Sequence, residues 1–288
     1  MCHLIYTDTF YMKRKWIRWV SWILLTPIIL FVILMVLLYV PPVQNLLRRE
    51  VTAYASKVTG MQIQVERIDL RFPLNLLVRG VEVIQQPDTL LSLESLNVRV
   101  QAWPLIKGKV EVDEVTLSRV AVNSADLMEG MKIKGVLGRF FLQSHGVDLS
   151  NELAVINQVE LSDTHMQLLM NDTTTTPKDT TASAPINWKV ALHQLKLKNV
   201  SFSMQLPADS MRMAAHIGEA AINNAQADLK NQYYDLKKFL LSGTSASYDT
   251  GTAQPTEGFD ASHIAVRDIR IALDSLLYKG RDMNAVIR

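Results

Sequence analysis

Beyond residue 60, short runs of alternating apolar and polar residues recur along almost the whole chain, and pairs of polar residues separate the runs. The segment KVALHQLKLKNVSFSM, residues 189–204, places apolar side chains at 190 and 192, at 195 and 197, and at 200, 202 and 204. Alternation with a period of two predicts strands that have one apolar and one polar face. We therefore expect a mainly β protein in which residues 61–288 form an elongated, curled antiparallel sheet, a repeating β-groove, with one or two short helices.

The same alternation predicts which side chains share the apolar face of the sheet. The clearest segments lie near residues 91–100, 110–122, 190–204 and 264–273. The residues predicted to line the face are Leu96, Val98, Val100, Val110, Val112, Val115, Leu117, Leu192, Leu195, Leu197, Val200, Phe202, Ile264, Val266, Ile269 and Ile271.

The polar pairs pose a geometric problem, because a step of three residues normally turns the later side chain to the opposite face of a strand. The apolar face stays continuous if each pair contains one extra residue, as in a β-bulge. Alternatively, the pair forms a tight turn and the strand reverses. Both devices need a left-handed residue, and Asp163, Asn199 and Asp268 are second in their pairs and tolerate that conformation. Arg119 and Glu114 tolerate it less readily.

Some segments lack this alternation. Residues 102–108 fit a helical turn or a loop, and residues 126–146 fit a short helix, a strand or both. Residues 171–185, rich in Thr, Ala and Pro, predict a flexible loop, and residues 242–258 predict a second one. The last segment, DMNAVIR, is again a strand pattern and has no terminator, which predicts that the natural chain continues.

An uncharged stretch precedes the sheet. No charged residue occurs between residues 19 and 47, and residues 23–40 are almost wholly apolar. A helix of that length spans roughly 27 Å at about 1.5 Å per residue, close to the roughly 30 Å of bilayer hydrocarbon. We predict a membrane helix over residues 16–40, with aromatic side chains at both interfaces. Its anchoring residues are Trp16, Trp19, Trp22, Ile23, Leu30, Leu37 and Tyr39.

The charges around this stretch predict its orientation. Lys13, Arg14, Lys15 and Arg18 precede it, which favours residues 1–15 in the cytoplasm and the sheet on the opposite side of the membrane. A cleaved signal peptide is the alternative. The apolar run is longer than the about 7–15 residues of a signal-peptide core, and the following YVPP offers no small-residue cleavage site. We therefore expect an uncleaved anchor.

Residues 41–60 form the link between the predicted anchor and the sheet. Their apolar residues recur at helical spacing after Pro41-Pro42, and Gly60 follows as a stop signal. This pattern predicts a short amphipathic helix that leads away from the membrane. The apolar positions are Val43, Leu46, Leu47, Val51, Tyr54 and Val58.

Sequence signals for chemistry are missing. No two of the six histidines lie within five residues of each other, and no phosphate-binding, dinucleotide-binding or nucleophile-elbow motif occurs. Cys2 is the single cysteine, so no intrachain disulfide forms. Thirty basic and twenty-eight acidic residues leave a net charge of +2, which argues against a nucleic-acid partner. We expect no catalytic residue, no metal and no cofactor, although catalytic groups distant in sequence would escape this search.

Two interpretations of the apolar face stay open at this point. The face packs against a second layer, as in a β-sandwich, in which case the protein is a single-pass scaffold that binds envelope proteins without carrying lipid. In the other interpretation the face is an open groove, available to phospholipid acyl chains or to an unfolded apolar segment. Little of the sequence after residue 60 has the helical periodicity needed to cover the sheet.

The N-terminal order of features is informative beyond the strand pattern. A basic start and a membrane stretch are followed by PPVQNLLRREVTAYASKVTG and by MQIQVERIDLRFPLNLLVRGVEV, with its Phe-Pro-Leu turn. DTLLSLESLNVRVQAWPLIKGKVEVDEVTLSRVAV comes next, with a Pro-Leu-Ile-Lys-Gly-Lys step. Over residues 12–122 this layout resembles the N-terminal part of AsmA-like/TamB envelope proteins, and beyond residue 122 only the strand motif supports the likeness.

This resemblance implies a single-pass protein of the inner membrane whose bulk lies in the periplasm. It implies an apolar β-groove for phospholipid transfer toward the outer membrane, and support for outer-membrane protein assembly and secretion. An Omp85-type outer-membrane barrel would be a partner, reached through a region C-terminal to residue 288. The resemblance brings no catalytic residues.

Overall fold

A single sheet of eleven strands makes up most of the molecule. The structure, a computed structural model, describes residues 39–106, 111–124, 130–148, 152–170, 187–251, 258–280 and 282–287, together with 26, 29 and 36. Each strand pairs with its neighbours in sequence, so the strand order across the sheet is the chain order. The predicted mainly β class is therefore confirmed.

The elements follow one another as a long meander. Among the described residues from 41 onward, two α-helices and one 3-10 turn, Pro207–Asp209, accompany the strands. The elements are α1 (Pro41–Thr59), β1 (Gln62–Arg71), β2 (Asn75–Gln85), β3 (Asp88–Val100), α2 (Ala102–Ile106), β4 (Val112–Asn123), β5 (Met131–Asp148), β6 (Leu153–Met170), β7 (Lys189–Leu206), β8 (Met211–Asp228), β9 (Tyr233–Asp249), β10 (His263–Lys279) and β11 (Asp282–Ile287).

One strand pair departs from the antiparallel sheet that the sequence predicts. β6 and β7 are parallel, with Leu153 beside Lys189 and Leu169 beside Gln205. All other neighbouring strands are antiparallel. A parallel pair requires a connection of about a dozen residues or more, and residues 171–188 meet that requirement. The prediction of a wholly antiparallel sheet was wrong because alternation in a sequence does not encode strand direction.

Two of the ambiguous or loop-like segments are strands. Residues 242–249, predicted as part of a loop, continue β9, so that prediction was wrong. Their small side chains carry little apolar pattern, and the backbone ladders to β8 and β10 hold them in place. The undecided stretch around residue 140 belongs to β5, and the stretch after residue 101 forms the short helix α2.

Helix α1 has the boundaries that its sequence signals predict. Pro41 and Pro42 occupy its first positions, where a missing N–H costs little. Gly60 ends it in the left-handed conformation at φ 70°, and its N–H donates to the carbonyl of Ser56 at 3.0 Å. α1 packs against the edge strand β1.

The predicted membrane anchor lies mostly outside the described residues. Of its named positions only Tyr39 is described, at the turn that precedes α1. No helix within the described ranges has the length and apolar character needed to cross a bilayer. The anchor over residues 16–40 stays a prediction.

At one level of the sheet, the alternation of side chains between its two faces is interrupted in every strand from β1 to β10. We call the line that joins these interruptions the crease. Val65 pairs with Val81 and Arg67 with Arg79, so the unpaired Glu66 and Gly80 lie opposite each other, and the register is the same on both sides of them. The same gap recurs from strand to strand. The crease residues are Glu66, Gly80, Glu94, Arg119, Gly138, Asp163, Asn199, Gly218, Gly243 and, in β10, Asp268.

Left-handed residues recur along this line. Asp163, Asn199 and Asp268 have φ of 51°, 53° and 51°, as their side chains predict. Arg119 adopts the same conformation at 47°, whereas Glu114 does not. The strands continue through these residues, so the alternative of a reversing turn was wrong. The structure differs from an ordinary β-bulge in one respect. From β1 to β9, both strands of each neighbouring pair carry an extra residue at the same level, so the pairing register is the same on both sides of the crease.

Replacing Asp268 by valine should destabilise the protein by about 1–2 kcal/mol, because a β-branched side chain is strained at φ 51°. Arg267→Val is the matched control: its residue is also exposed and neighbours Asp268, but has no positive φ. We expect the control to change the free energy of unfolding by less than about 0.5 kcal/mol in urea titrations. Equal losses for both variants would show that the left-handed conformation is not what matters at this position.

Candidate functional site

The strand register brings apolar side chains into continuous rows that run across the sheet. In the first row, beside the crease, each residue is the cross-strand partner of the next. Its members are Ile68, Val78, Leu96, Leu117, Phe140, Leu161, Leu197, Ala220, Leu241 and Ile271. Every member is apolar, so the row carries no interruption from β1 to β10.

A second row lies two residues further along each strand and reaches all eleven strands. It consists of Leu70, Leu76, Val98, Val115, Leu142, Val159, Leu195, Ile222, Phe239, Leu273 and Ile287. Because neighbouring strands are about 4.8 Å apart, the row is roughly 48 Å long. Because residues two apart in a strand point the same way, the two rows form one apolar band.

Apolar rows also flank the other side of the crease. One contains Val81, Leu93, Val120 and Val200, together with Thr164, whose side chain is buried. Another runs through Ile63, Val83, Leu91, Val122, Gly135, Met166, Phe202, Ala215, Ala246 and Val266. The crease is what allows apolar side chains on both sides of it to share a face.

The residues predicted from sequence to line the apolar face take positions in or beside these rows. Val112 pairs with Val100, Ile264 pairs with Tyr248, and Ile269 pairs with Thr244. Leu192 pairs with Ile156 and Ala225 in a shorter row near the opposite ends of β6 to β8. Val110 lies outside the described residues.

Sequence reasoning missed members of the rows in β5, β8 and β9. In β5 the spacing of Leu137, Phe140 and Leu142 follows the same rule, but the doubled phenylalanine obscures it. In β8 the apolar position of the first row holds Ala220, too small to signal a core position. Thr164 fills the apolar position that the β6 segment lacked. Cross-strand pairing, which a single segment does not reveal, identifies all of them.

The opposite face carries charged and polar contacts. Across strands, Arg99 lies 3.2 Å from Glu114 and Lys196 lies 3.9 Å from Glu160. Arg119 forms an ion pair with Glu94 along the crease, and Asn199 Nδ2 donates to Asp163 Oδ1 at 2.8 Å. These pairs are exposed or half-exposed, so each contributes at most about 1 kcal/mol. They indicate which face of the sheet is directed toward water.

No second layer covers the apolar rows within the described part of the chain. The main contacts between elements join neighbouring strands, apart from α1 against β1. No large side chain there is fully buried, and the buried apolar residues are few. Row members such as Phe202, Val266 and Ile271 are exposed by 43, 47 and 39%. A packed β-sandwich would bury such side chains against a facing sheet.

The strongest candidate for catalytic chemistry is a shallow pocket of about 360 Å³ with a mixed polar and apolar lining. There, on the face opposite the apolar rows, Ser201 Oγ lies 2.9 Å from His216 Nδ1, with His165 and Arg267 nearby. A serine nucleophile also needs a group that orients the histidine and donors for an oxyanion. The hydrogen bonds of the described residues show neither for this pair. Nor do described residues bring three metal-ligating side chains together.

Two ionisable groups have shifted pKa values, and both lie near the turn between β8 and β9. Hydrogen bonds from the side chain and backbone N–H of Asn231 lower the pKa of Asp228. The hydrogen bond to Asp235 raises the pKa of Lys237. Asp228 is partly buried and Lys237 is exposed, and these contacts are structural features of the turn and strand.

Comparison with protein-family models gives no match to this chain. Comparison with curated proteins gives no significant match either.

Proposed function

We propose that this protein is a non-catalytic, membrane-anchored conduit for phospholipid, in which acyl chains lie along the apolar rows of the sheet. The observation that carries the proposal is the second row, apolar on all eleven strands and roughly 48 Å long. Half of the roughly 30 Å hydrocarbon thickness approximates one acyl chain, so the row is long enough for several lipids in succession.

No second layer covers the apolar face within the described residues. This supports an apolar ligand that binds to the face and leaves it, as opposed to a permanently packed protein core. Soluble monomers rarely expose apolar patches larger than a few hundred Å², and larger ones mark interaction sites. A groove open along its length lets the acyl chains lie on the sheet while the polar headgroup stays in water. Passage then needs no chemical step, which is consistent with a sheet that displays no catalytic constellation.

The cellular setting is part of the proposal. The uncharged stretch at residues 23–40 supports an anchor in the inner membrane with the sheet in the periplasm. The resemblance to AsmA-like/TamB proteins supports transfer toward the outer membrane and a role in outer-membrane protein assembly and secretion. An Omp85-type barrel, contacted through a region beyond residue 288, is the partner that this resemblance suggests.

Photo-crosslinking residues on the two faces test the proposal directly. Probes at Val112, Leu117, Leu197 and Ile271 should capture phospholipid in membranes, while probes at Lys196 and Arg270 on the opposite face should capture at least fivefold less. Lys196 neighbours Leu197, and Arg270 neighbours Ile271, so each control lies in the same strand as its test position. The readout is the mass of the lipid adduct. Equal labelling of the two faces would contradict a lipid groove.

A further inference from the structure

Helix α1 packs its polar side against the sheet. Gln44 Nε2 donates to the carbonyl of Leu70 at 3.0 Å, and Arg48 Nη1 donates to that of Val65 at 3.0 Å. Ser56 Oγ accepts from the N–H of Ile63 at 3.0 Å. These side chains satisfy backbone groups on the free edge of β1, which would otherwise be open to pairing with another strand. α1 therefore acts as a polar cap on this edge.

The apolar stripe of α1 consequently lies on one flank of the contact with β1 and does not face that strand. Leu47, Val51, Tyr54 and Val58 follow the four-, three- and four-residue steps of one helix face. Their exposed fractions are 39, 51, 71 and 66%. An amphipathic helix of a soluble domain normally turns its apolar stripe toward the core. This arrangement leaves an exposed stripe that needs an apolar partner.

A pocket beside α1 shows on which side of the sheet this stripe lies. The pocket, about 690 Å³, is lined by Arg48, Arg49, Thr52 and Ala53 of the helix, by residues 63–66 of β1 and by Gly80 and Glu82 of β2. These β2 residues alternate with the apolar Val81 and Val83, which do not line the pocket, so it opens on the polar face. Residues 49 and 53 project about 100–160° around the helix from residues 51 and 54, at about 100° per residue. The stripe therefore projects on the apolar side of the sheet.

This position makes the stripe continuous with the apolar rows. Ile63, Val65, Ile68 and Leu70 begin the rows at β1, and α1 lies along the free edge of that strand. The helix adds a second apolar wall where the rows start. Phospholipid arriving at the β1 end would meet this wall before the sheet.

The start of α1 also indicates where the lipid comes from. The helix begins directly after the uncharged stretch that ends at Val40. Tyr39 donates to the carbonyl of Pro73 at 2.6 Å, and its ring lies 6.4 Å from that of Phe72, an aromatic side chain that is 84% exposed. Tyrosine is enriched at membrane interfaces. The corner formed by α1 and the β1–β2 turn is thus tied to the predicted membrane exit.

We propose that the α1 stripe is the mouth of the groove, where acyl chains of a phospholipid leave the bilayer and contact Leu47, Val51, Tyr54 and Val58 on their way to the first rows. The inference rests on the proposed lipid conduit and adds the place of entry: lipid reaches the rows at the β1 end.

The test uses the full chain in proteoliposomes with photo-crosslinking residues on two sides of the same helix. Probes at Val51 and Tyr54 should form phospholipid adducts at least fivefold more than probes at Asn45 and Ala53. A probe at Leu197, in the sheet, is run in parallel. Adducts at Leu197 without adducts at the stripe would contradict the entry site at α1 and would leave the proposed lipid conduit supported. No adducts at any of these positions overturn both. Equal adducts on the two sides of α1 indicate general contact with the bilayer and also overturn the mouth.

A second variant tests passage. Val51→Glu should lower the yield of Leu197 adducts at least fivefold, because a carboxylate on the stripe opposes acyl chains. Ala53→Glu introduces the same charge beside Arg48 and Arg49 in the polar pocket and should leave that yield unchanged. Both residues are exposed, so folding of the helix should tolerate either change. Unchanged Leu197 labelling in the Val51→Glu variant would overturn the proposed path.

Discussion

A glutamate in place of Leu197 is expected to remove most of the lipid that purifies with the protein. Leu197 lies in the first apolar row, between Leu161 of β6 and Ala220 of β8. A carboxylate there would contact acyl chains, and an unpaired charge in an apolar setting costs roughly 3 kcal/mol or more. Since 1.4 kcal/mol corresponds to a factor of ten, occupancy of the groove should fall about a hundredfold. Native mass spectrometry, which counts lipids per protein, measures the change.

The matched control introduces the same charge on the other face of the same strand. Gln205 is exposed, and its cross-strand neighbour in β8 is Arg212. Lys132 and Lys134 lie in the same shallow pocket, so Gln205→Glu places a carboxylate among basic groups. We expect lipid binding close to that of the unmodified protein. Equal lipid loss in the two variants would attribute the effect to net charge and contradict an apolar track through Leu197.

Local sequence patterns predict the strands, their apolar faces and several left-handed positions. The alternation in β7 and β10 predicts strands and their apolar faces, and the Asp and Asn residues in the polar pairs predict where left-handed backbone occurs. Both signals are local, since side-chain alternation and φ preference depend on a residue and its immediate neighbours. Arg119 shows the limit: it takes the left-handed conformation of Asp163 although its own preference is weaker, because the crease crosses β4 at that level.

The features that sequence reasoning missed are non-local. The parallel pairing of β6 and β7 is one of them, because strand patterns are identical for either direction. Ala220 and Thr164 belong to the apolar rows through their partners and not through their own hydrophobicity. The orientation of α1 is also non-local: its apolar spacing predicts an amphipathic helix, whereas hydrogen bonds between β1 and Gln44, Arg48 and Ser56 determine which side of the helix packs.

Alanine in place of Gly138 should destabilise the sheet more than any exposed substitution. Gly138 is the crease residue of β5, and a Cβ there would lie 2.7 Å from Asp163 Cβ, 2.9 Å from the Asp163 carbonyl oxygen and 3.1 Å from that of Ser162. Two of these atoms are backbone, so β6 itself would have to move. Inserting one carbon into a tight contact typically costs about 1–3 kcal/mol. We expect a loss near the upper end of that range, measured from urea unfolding of the full chain.

Gly135→Ala is the control, because Gly135 lies in the same strand and is also unable to accept a Cβ without a shift in its surroundings. There the nearest atom is the sulfur of Met166, the end of a flexible side chain, and the backbone oxygen of His165 lies 3.1 Å away. Methionine can adopt another rotamer at little cost, so this loss should stay below about 1 kcal/mol. The difference between the two variants measures the close approach of β5 and β6 at the crease. If Gly135→Ala is as damaging as Gly138→Ala, β5 and β6 are uniformly close and the crease has no special packing. If neither variant lowers the free energy of unfolding, β5 and β6 can move apart at the crease at little cost. Close packing at the crease would then not be what keeps the apolar rows on one face.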